Sequence, residues 1–356
     1  MLLHLSYLKV SGYFQVGGEY PVNKTNTFVS MNYKVFGTKT GLVVSELVLG
    51  TATLGTASGY GATPEDVQLI LKGYADAGGN FIDTSNFYQL GQAEQAIGEF
   101  LTENRSSFVI ATKYSRGSHF GVMGNHRKAM VQSIEQSLQR LKTDYIDIYM
   151  PHFDDRITPI EEIMRGIEDL VKAGKVIYGG LSNFPAWRVA AAASISPLAA
   201  IQVEYNLLQR HTESELLPAA DAFGLGVLGY SPMAGGLLTG KYSRGEEGRA
   251  THLPAGVPHA GKESKVLEVL TAIGEELSVK PGQVAVAWVM AKGVFPIIGA
   301  RTRGQLDDNI IAADIKLSAE QRARLDEVSA IPLTYPNDIN TVALMTGNGK
   351  YKVVFP

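Results

Sequence analysis

The chain has 356 residues, 45% of them hydrophobic and 19% charged, with a formal net charge of −3. That composition supports a large buried core, and the near-neutral balance offers no basic field for nucleic acid or an anionic membrane. There is no cysteine, which excludes disulfides, thiol nucleophiles, iron–sulfur clusters and cysteine-ligated zinc.

Residues 1–30 lack the basic start and long apolar centre of a secretory signal. Gly17, Gly18 and Pro21 mark them as a loose extension. No run of about 18 apolar residues is present, so no membrane span is expected and a cytoplasmic location is. The organised pattern begins at Met31. From there, short apolar runs alternate with amphipathic segments. The eight runs are Val44–Thr53, Phe81–Ser85, Phe108–Tyr114, Tyr145–His152, Val176–Asn183, Ala199–Asn206, Gly224–Pro232 and Val294–Ala300. Several are apolar at successive positions, as a strand buried on both faces requires. Between them, Val67, Ile70, Leu71 and Tyr74 show helical spacing, and so do Met130, Ile134, Leu138 and Leu141. Ile160, Ile163, Ile167 and Leu170, and Val266, Leu270, Ile273 and Leu277, repeat it. Strand–helix alternation implies a parallel sheet, and eight units imply closure into a (β/α)8 barrel over residues 31–331. An open doubly wound sheet is the competing architecture. Tyr33–Phe36 and the run beginning at Leu42 are expected to pair as a hairpin outside the barrel. After the seventh strand, a Gly-rich stretch from Pro232 to Lys262 is too long for a plain connection. Its first part, Met233–Lys241, suits a ligand clamp; Gly245–Gly261 has the composition of disordered chain. Residues 332–356 form a tail containing Tyr335, Met345 and Tyr351, expected to cover the barrel mouth or pair with a neighbour.

Active sites of such barrels lie where the strands end at their carboxyl side. The second strand ends with Asp83, and Tyr88 follows five residues on; the third ends with Lys113 and the fourth with His152. Each residue alone has an ordinary structural use. Together, three consecutive strands bring an acid, a base and an imidazole to one face. A free phenol, with a pKa of about 10, holds its proton tightly. A nearby ammonium is expected to lower that value. Lys113 supplies the ammonium, Asp83 holds it, and His152 adds a second hydrogen-bond donor for a carbonyl oxygen.

These residues sit in segments that resemble the aldo-keto reductase superfamily. They are LVLGTATLG, FIDTSNFYQLGQAEQAIGEFL (81–101), IATKYS (110–115), DYIDIYMPHFD (144–154), GGLSNF (179–184), QVEYN (202–206), GYSPMAGGLLTGKY (229–242) and IIGARTRGQLDDN (297–309). The pattern is most similar to the bacterial and fungal branch related to aryl-alcohol dehydrogenases. The resemblance implies hydride transfer between a nicotinamide cofactor and a small carbonyl or alcohol, with Asp83, Tyr88, Lys113 and His152 as the catalytic tetrad. It implies cofactor contacts at Thr51, Asp83, Ser182, Asn183, Gln202 and Tyr230. Further contacts fall on the stretch Ser231, Pro232, Met233, Ala234, Gly235 and Leu237, and on Lys241. Beyond the eighth strand they fall on Gly299, Arg301, Gln305, Asp308 and Asn309. A helix start beside an arginine suits a 2′-phosphate, so NADPH is expected over NADH. Tyr60, Phe87, His152, Phe153 and Trp187 are candidates for the substrate pocket, and specificity is expected in the loops around Tyr60, Gln89 and Phe120 and in the Pro232–Lys262 stretch. One departure stands out: where the family often has Gly after the tyrosine, this chain has Gln89.

Other motifs in the chain point elsewhere but lack the context they need. Gly224, Gly226 and Gly229 spell a GxGxxG, but a helix precedes it and a strand follows, the reverse of a dinucleotide-binding turn. His252 and His259, like His119 and His126, lie seven apart with no third ligand, and there is no HExxH, so no metal is expected. Lys113 could instead form a Schiff base in an aldolase. Relatives of the fold also include potassium-channel β-subunits, which bind nicotinamide nucleotides and act through partners. Oligomeric state has no signature in the sequence.

Overall fold

The computed structural model describes residues 31–117, 121–252 and 261–339. The expectations for residues 1–30, for His119, Phe120 and His259, and for Met345 and Tyr351 in the tail fall outside these residues.

Eight parallel strands close into a barrel: β3 (Val48–Gly50), β4 (Phe81–Asp83), β5 (Val109–Tyr114), β6 (Ile146–Pro151), β7 (Val176–Ser182), β8 (Ala200–Glu204), β9 (Gly226–Tyr230) and β10 (Phe295–Gly299), with β10 pairing to both β9 and β3. Outside it, β1 (Tyr33–Val35) pairs antiparallel with β2 (Val43–Ser45). The first apolar run therefore divides in two, one half in this hairpin and the other in the barrel. The break falls at Ser45–Leu47. There the Ser45 hydroxyl donates to the Leu47 carbonyl at 2.9 Å, and Glu46 N–H donates to the Asn32 carbonyl at 2.8 Å, turning the chain.

The helices are α1 (Pro64–Asp76), α2 (Gln92–Phe100), α3 (Arg127–Leu141), α4 (Ile160–Lys172), α5 (Ala186–Ile195), α6 (Leu216–Phe223), α7 (Gly261–Leu277), α8 (Pro281–Ala291), α9 (Arg303–Ile310) and α10 (Ala319–Val328). Local chemistry sets their ends. Thr63 caps α1 by accepting from Asp66 N–H, Pro64 opens it, and Gly78 at φ +85° ends the run. The apolar stripe Val67, Ile70, Leu71 and Tyr74 is buried. Tyr74 bonds through its hydroxyl to the Leu47 and Phe81 carbonyls at 2.7 and 2.8 Å, fastening α1 to the first two barrel strands.

Strand periodicity separates two cores. Outward residues such as Ile82, Ile110, Tyr149 and Ile201 pack under the helices. Inward residues Phe81, Val109, Ala111, Ile148, Met150, Ala200, Leu228, Phe295 and Ile297 fill the barrel. Phe36, fully buried, plugs the amino-terminal end against Phe81 and Phe295, with ring centroids 5.4 and 5.2 Å away. A Cβ at Gly226 would lie 2.5 Å from the Phe36 ring. That close packing accounts for a glycine in the GxGxxG.

Between β9 and α7 the chain forms three short 3-10 turns, Ala234–Thr239, Tyr242–Arg244 and Arg249–His252. Tyr242 ties them together: its hydroxyl donates to the Gly235 carbonyl at 2.8 Å and accepts from Ala250 N–H at 3.0 Å. The part of Gly245–Gly261 that reaches His252 is thus ordered, against its loop-like composition. Among the described residues no helix is long and apolar enough to cross a membrane.

Candidate active site

On five of the eight strands the inward side chains change from apolar to polar at the last step. Phe81 is followed two residues later by Asp83, Ala111 by Lys113, Met150 by His152, Ala200 by Gln202, and Leu228 by Tyr230. A period of two keeps each pair on the barrel axis, so the polar layer caps the apolar one. Asp83, His152, Gln202 and Tyr230 line one cavity of ≈ 770 Å3 at this end of the barrel, and Tyr88 joins them from the loop after β4.

Beneath Tyr88 lies a buried ion pair. Lys113, fully enclosed, donates to both Asp83 carboxylate oxygens at 2.7 and 2.9 Å and to the Thr84 carbonyl at 2.7 Å. Its Nζ is 3.4 Å from the Tyr88 hydroxyl. Gln202 donates to Asp83 Oδ1 at 2.7 Å. Burial pulls the Lys113 pKa down, but the Asp83 carboxylate and the Tyr88 hydroxyl outweigh it and hold the amine above its ordinary range. The expectation for Tyr88 needs correction. Burial pushes the phenol above its usual range, and the Lys113 ammonium offsets that only in part. Tyr88 is therefore protonated at neutral pH.

His152 stands edge-on to Tyr88, with ring centroids 5.6 Å apart. Burial, with the charges of Lys113 and Arg116, lowers its pKa to about 3, so the ring is neutral. Its Nδ1 lies 3.1 Å from the Ser85 hydroxyl. With Ser85 as donor, the ring proton sits on Nε2, a donor of the kind a carbonyl oxygen needs.

The loop carrying Tyr88 is held from an unexpected quarter. Gln89 and Leu90 are left-handed, at φ 49° and 53°. Gln89 is buried; its amide donates to the Ala52 and Tyr60 carbonyls at 3.0 and 3.1 Å and accepts from Ser58 N–H at 2.9 Å. The departure from the family's glycine thus ties the β4 loop to the β3 loop.

The other end of the cavity is cationic. Lys241, Arg249 and Arg301 line it, and among the described residues Arg249 and Arg301 make no ion pair. The Arg301 guanidinium lies 4.1 Å above the Tyr60 ring, and His252 packs on the same ring at 4.5 Å. Burial and the charge of Arg301 lower the Lys241 pKa. Thr302 caps α9 by accepting from Gln305 N–H at 3.3 Å, and Asn309 donates to the Gly299 carbonyl at 3.0 Å. Gly235 and Gly236 line the cavity with left-handed backbone, at φ 65° and 101°. No atom lies within 4 Å of a Cβ built on Gly235 or Gly299. Unpaired cations, a capped helix start and open glycine backbone fit the phosphates of a dinucleotide.

Of the residues singled out from sequence, Thr51, Ser231, Pro232, Met233, Gly235, Lys241, Gly299, Arg301, Gln305, Asp308 and Asn309 line this cavity, as does Asn183. Ser182 and Leu237 are buried behind it, and Ala234 is not on its wall. Asn183 is already committed. Its amide donates to the His152 carbonyl at 2.9 Å and to Ser182 Oγ at 3.1 Å, and accepts from the Tyr230 hydroxyl at 2.9 Å. The substrate candidates divide. Tyr60 lines the cavity but belongs to the cationic end, because Arg301 and His252 both pack on its ring. Phe87 and Phe153 are off the wall; the Phe87 ring is covered by Arg116 at 4.0 Å. Trp187 is 70% exposed on the first turn of α5 and neither lines the cavity nor packs its helix on the barrel. Sequence reasoning passed over Arg116, Arg244, Arg249 and Lys280, all on the wall. Arg116 had a signal, three residues beyond Lys113; Arg244 and Arg249 lay in chain whose composition reads as loop.

Comparison with known proteins agrees with this geometry. The Aldo/keto reductase family model matches residues 46–330. An aryl-alcohol dehydrogenase [NADP(+)] of Phanerodontia chrysosporium is 34% identical over 347 residues, covering 88% of this chain and 89% of its own. Norsolorinic acid reductase of Aspergillus flavus is 33% identical over 327 residues, covering 85% and 82%. An uncharacterized oxidoreductase of Bacillus subtilis is 37% identical over 320 residues, covering 84% and 96%. With its closed barrel and this match across most of its length, the chain belongs to the aldo/keto reductase family of NAD(P)H-dependent oxidoreductases.

Proposed function

We propose that this protein reduces an aldehyde or ketone to the alcohol with NADPH, and that Tyr88 is the general acid. The observation that carries the reading is the enclosed Asp83–Lys113 pair below Tyr88, in a cavity whose far end holds unpaired cations. A nicotinamide bound in this cavity would supply the hydride for the carbonyl carbon. The carbonyl oxygen takes the Tyr88 proton, so carbonyl, NADPH and one proton become alcohol and NADP+. A phenol with a raised pKa is still a much stronger acid than the alcohol it forms. Lys113 stabilises the phenolate left behind, Asp83 keeps Lys113 charged, and neutral His152 donates to the same oxygen. Gln202 has its amide nitrogen on Asp83, which leaves its amide oxygen for a carboxamide. Arg301, stacked on Tyr60, supports the choice of NADPH through a 2′-phosphate. A relative's name includes NADP(+), and others name aryl alcohols and norsolorinic acid, which supports aromatic carbonyls as the first substrates to try.

A Schiff base on Lys113 is disfavoured because that amine is protonated, enclosed and fully hydrogen-bonded. The test is a panel of aromatic and aliphatic carbonyls followed by loss of NADPH absorbance, with NADH alongside and borohydride trapping as a control. Turnover with several aldehydes and no adduct on Lys113 is expected. Tight NADPH binding without turnover would point instead to a nucleotide-sensing role of the channel-subunit kind, and a borohydride-stable adduct to an aldolase.

A further inference from the structure

Charge at the tetrad end of the cavity does not balance. Asp83 and Lys113 neutralise each other, His152 is uncharged and Tyr88 keeps its proton. Arg116, two residues beyond the end of β5, lines the same cavity as Tyr88 and His152. Among the described residues it makes no ion pair. The neighbouring residues 118–120 and the segment 253–260 contain no acidic residue that could supply one.

Arg116 is also held. Its backbone carbonyl accepts from the Asn86 amide at 3.1 Å, and its guanidinium lies 4.0 Å from the Phe87 ring centre. Stacking on an aromatic face restrains the guanidinium plane and leaves its edge N–H groups free to donate. Those donors match the two oxygens of a carboxylate. The tetrad itself takes the carbonyl oxygen, so the anion must sit on another arm of the substrate.

Resting on the reading of the cavity as a carbonyl-reduction site, we propose that Arg116 selects carbonyl substrates that also carry a carboxylate. Its field contributes to keeping His152 neutral, which agrees with an uncompensated cation at this end. Binding a part of the substrate that does not react acts mainly on KM, because the contact is the same before and during hydride transfer.

The experiment measures kcat/KM with NADPH for ortho-, meta- and para-carboxybenzaldehyde and for their methyl esters, in the full-length protein and in Arg116→Gln and Arg116→Lys. At least one acid is expected to exceed its ester by about tenfold or more in the unaltered protein, as one charge-assisted pair provides. Arg116→Gln should bring that ratio close to one, chiefly through KM, and Arg116→Lys should retain part of it. The acid's advantage should shrink as salt is raised. Acids and esters turned over alike in the unaltered protein, or a ratio unmoved by Arg116→Gln, would overturn the inference while leaving carbonyl reduction intact. No NADPH consumption with any of the six aldehydes would count instead against the reading of the cavity on which it rests.

Discussion

The two ends of the cavity are built in different ways. The tetrad floor is made of strand ends: Asp83, Lys113 and Gln202 are buried and joined by hydrogen bonds of 2.7–2.9 Å. The cationic rim is made of loops: Arg301, Tyr60 and His252 meet only through ring contacts, and Tyr242 braces the turns beside them. A buried pair cannot shift without exposing an unpaired charge, whereas a stacked arginine can move at small cost. Rigid placement is what proton transfer needs; the rim has only to offer charge to an anion.

That contrast breaks first if the floor is not a unit. Lys113→Met leaves Asp83 buried and unpaired and should cost about 3–5 kcal/mol in chemical denaturation. The double variant Asp83→Asn, Lys113→Met should recover much of that stability but not the reduction rate. If the single variant is as stable as the unaltered protein, the floor is not the anchor described.

Gln89 joins the two regions, and its substitution sharpens the contrast. Gln89→Ala removes three hydrogen bonds and should cost about 1–3 kcal/mol. Gln89→Gly loses the same bonds but relieves the left-handed backbone at φ 49°, so it should be milder than alanine by about 1 kcal/mol. Equal melting curves for the two variants would show that the backbone strain is not felt.

At the rim, Arg301→Ala should raise the NADPH dissociation constant by roughly tenfold or more and that of NADH by less than about threefold. Fluorescence titration separates the two, and equal losses would remove the 2′-phosphate contact. The remaining test is a titration. His152 has a pKa of about 3 in the folded protein against 6.5 unfolded. Its contribution to stability is therefore complete above pH 6.5. It is lost as pH falls toward 3, because the unfolded chain takes up the proton first. Nitrogen NMR at about pH 5 should find the ring still neutral; a charged imidazole there would contradict its burial.

The floor was legible in the sequence because strand geometry converts spacing into direction. Asp83, Lys113 and His152 each follow an inward apolar residue by two positions, and that rule survives folding without knowledge of any loop. The rim was legible only in part. Arg301 and Lys241 lie in matched motifs, but Arg249 reaches the cavity because Tyr242 bonds Gly235 to Ala250. No local pattern announces such a bridge. Trp187 misled for the opposite reason: an aromatic beside a strand end looks like a pocket wall, but the helix it opens turns it outward. The tyrosine pKa was misjudged because charge proximity can be read from sequence, whereas the depth of burial that opposes it cannot.

One comparison goes to the centre of the account: NADPH binding and single-turnover hydride transfer, measured together for Tyr88→Phe and the unaltered protein with a carbonyl substrate found in the panel. Affinity for NADPH should be unchanged while the rate falls by about 10²–10⁴-fold, the usual worth of a positioned general acid. A variant that binds and reduces at the unaltered rate would show that the proton comes from elsewhere.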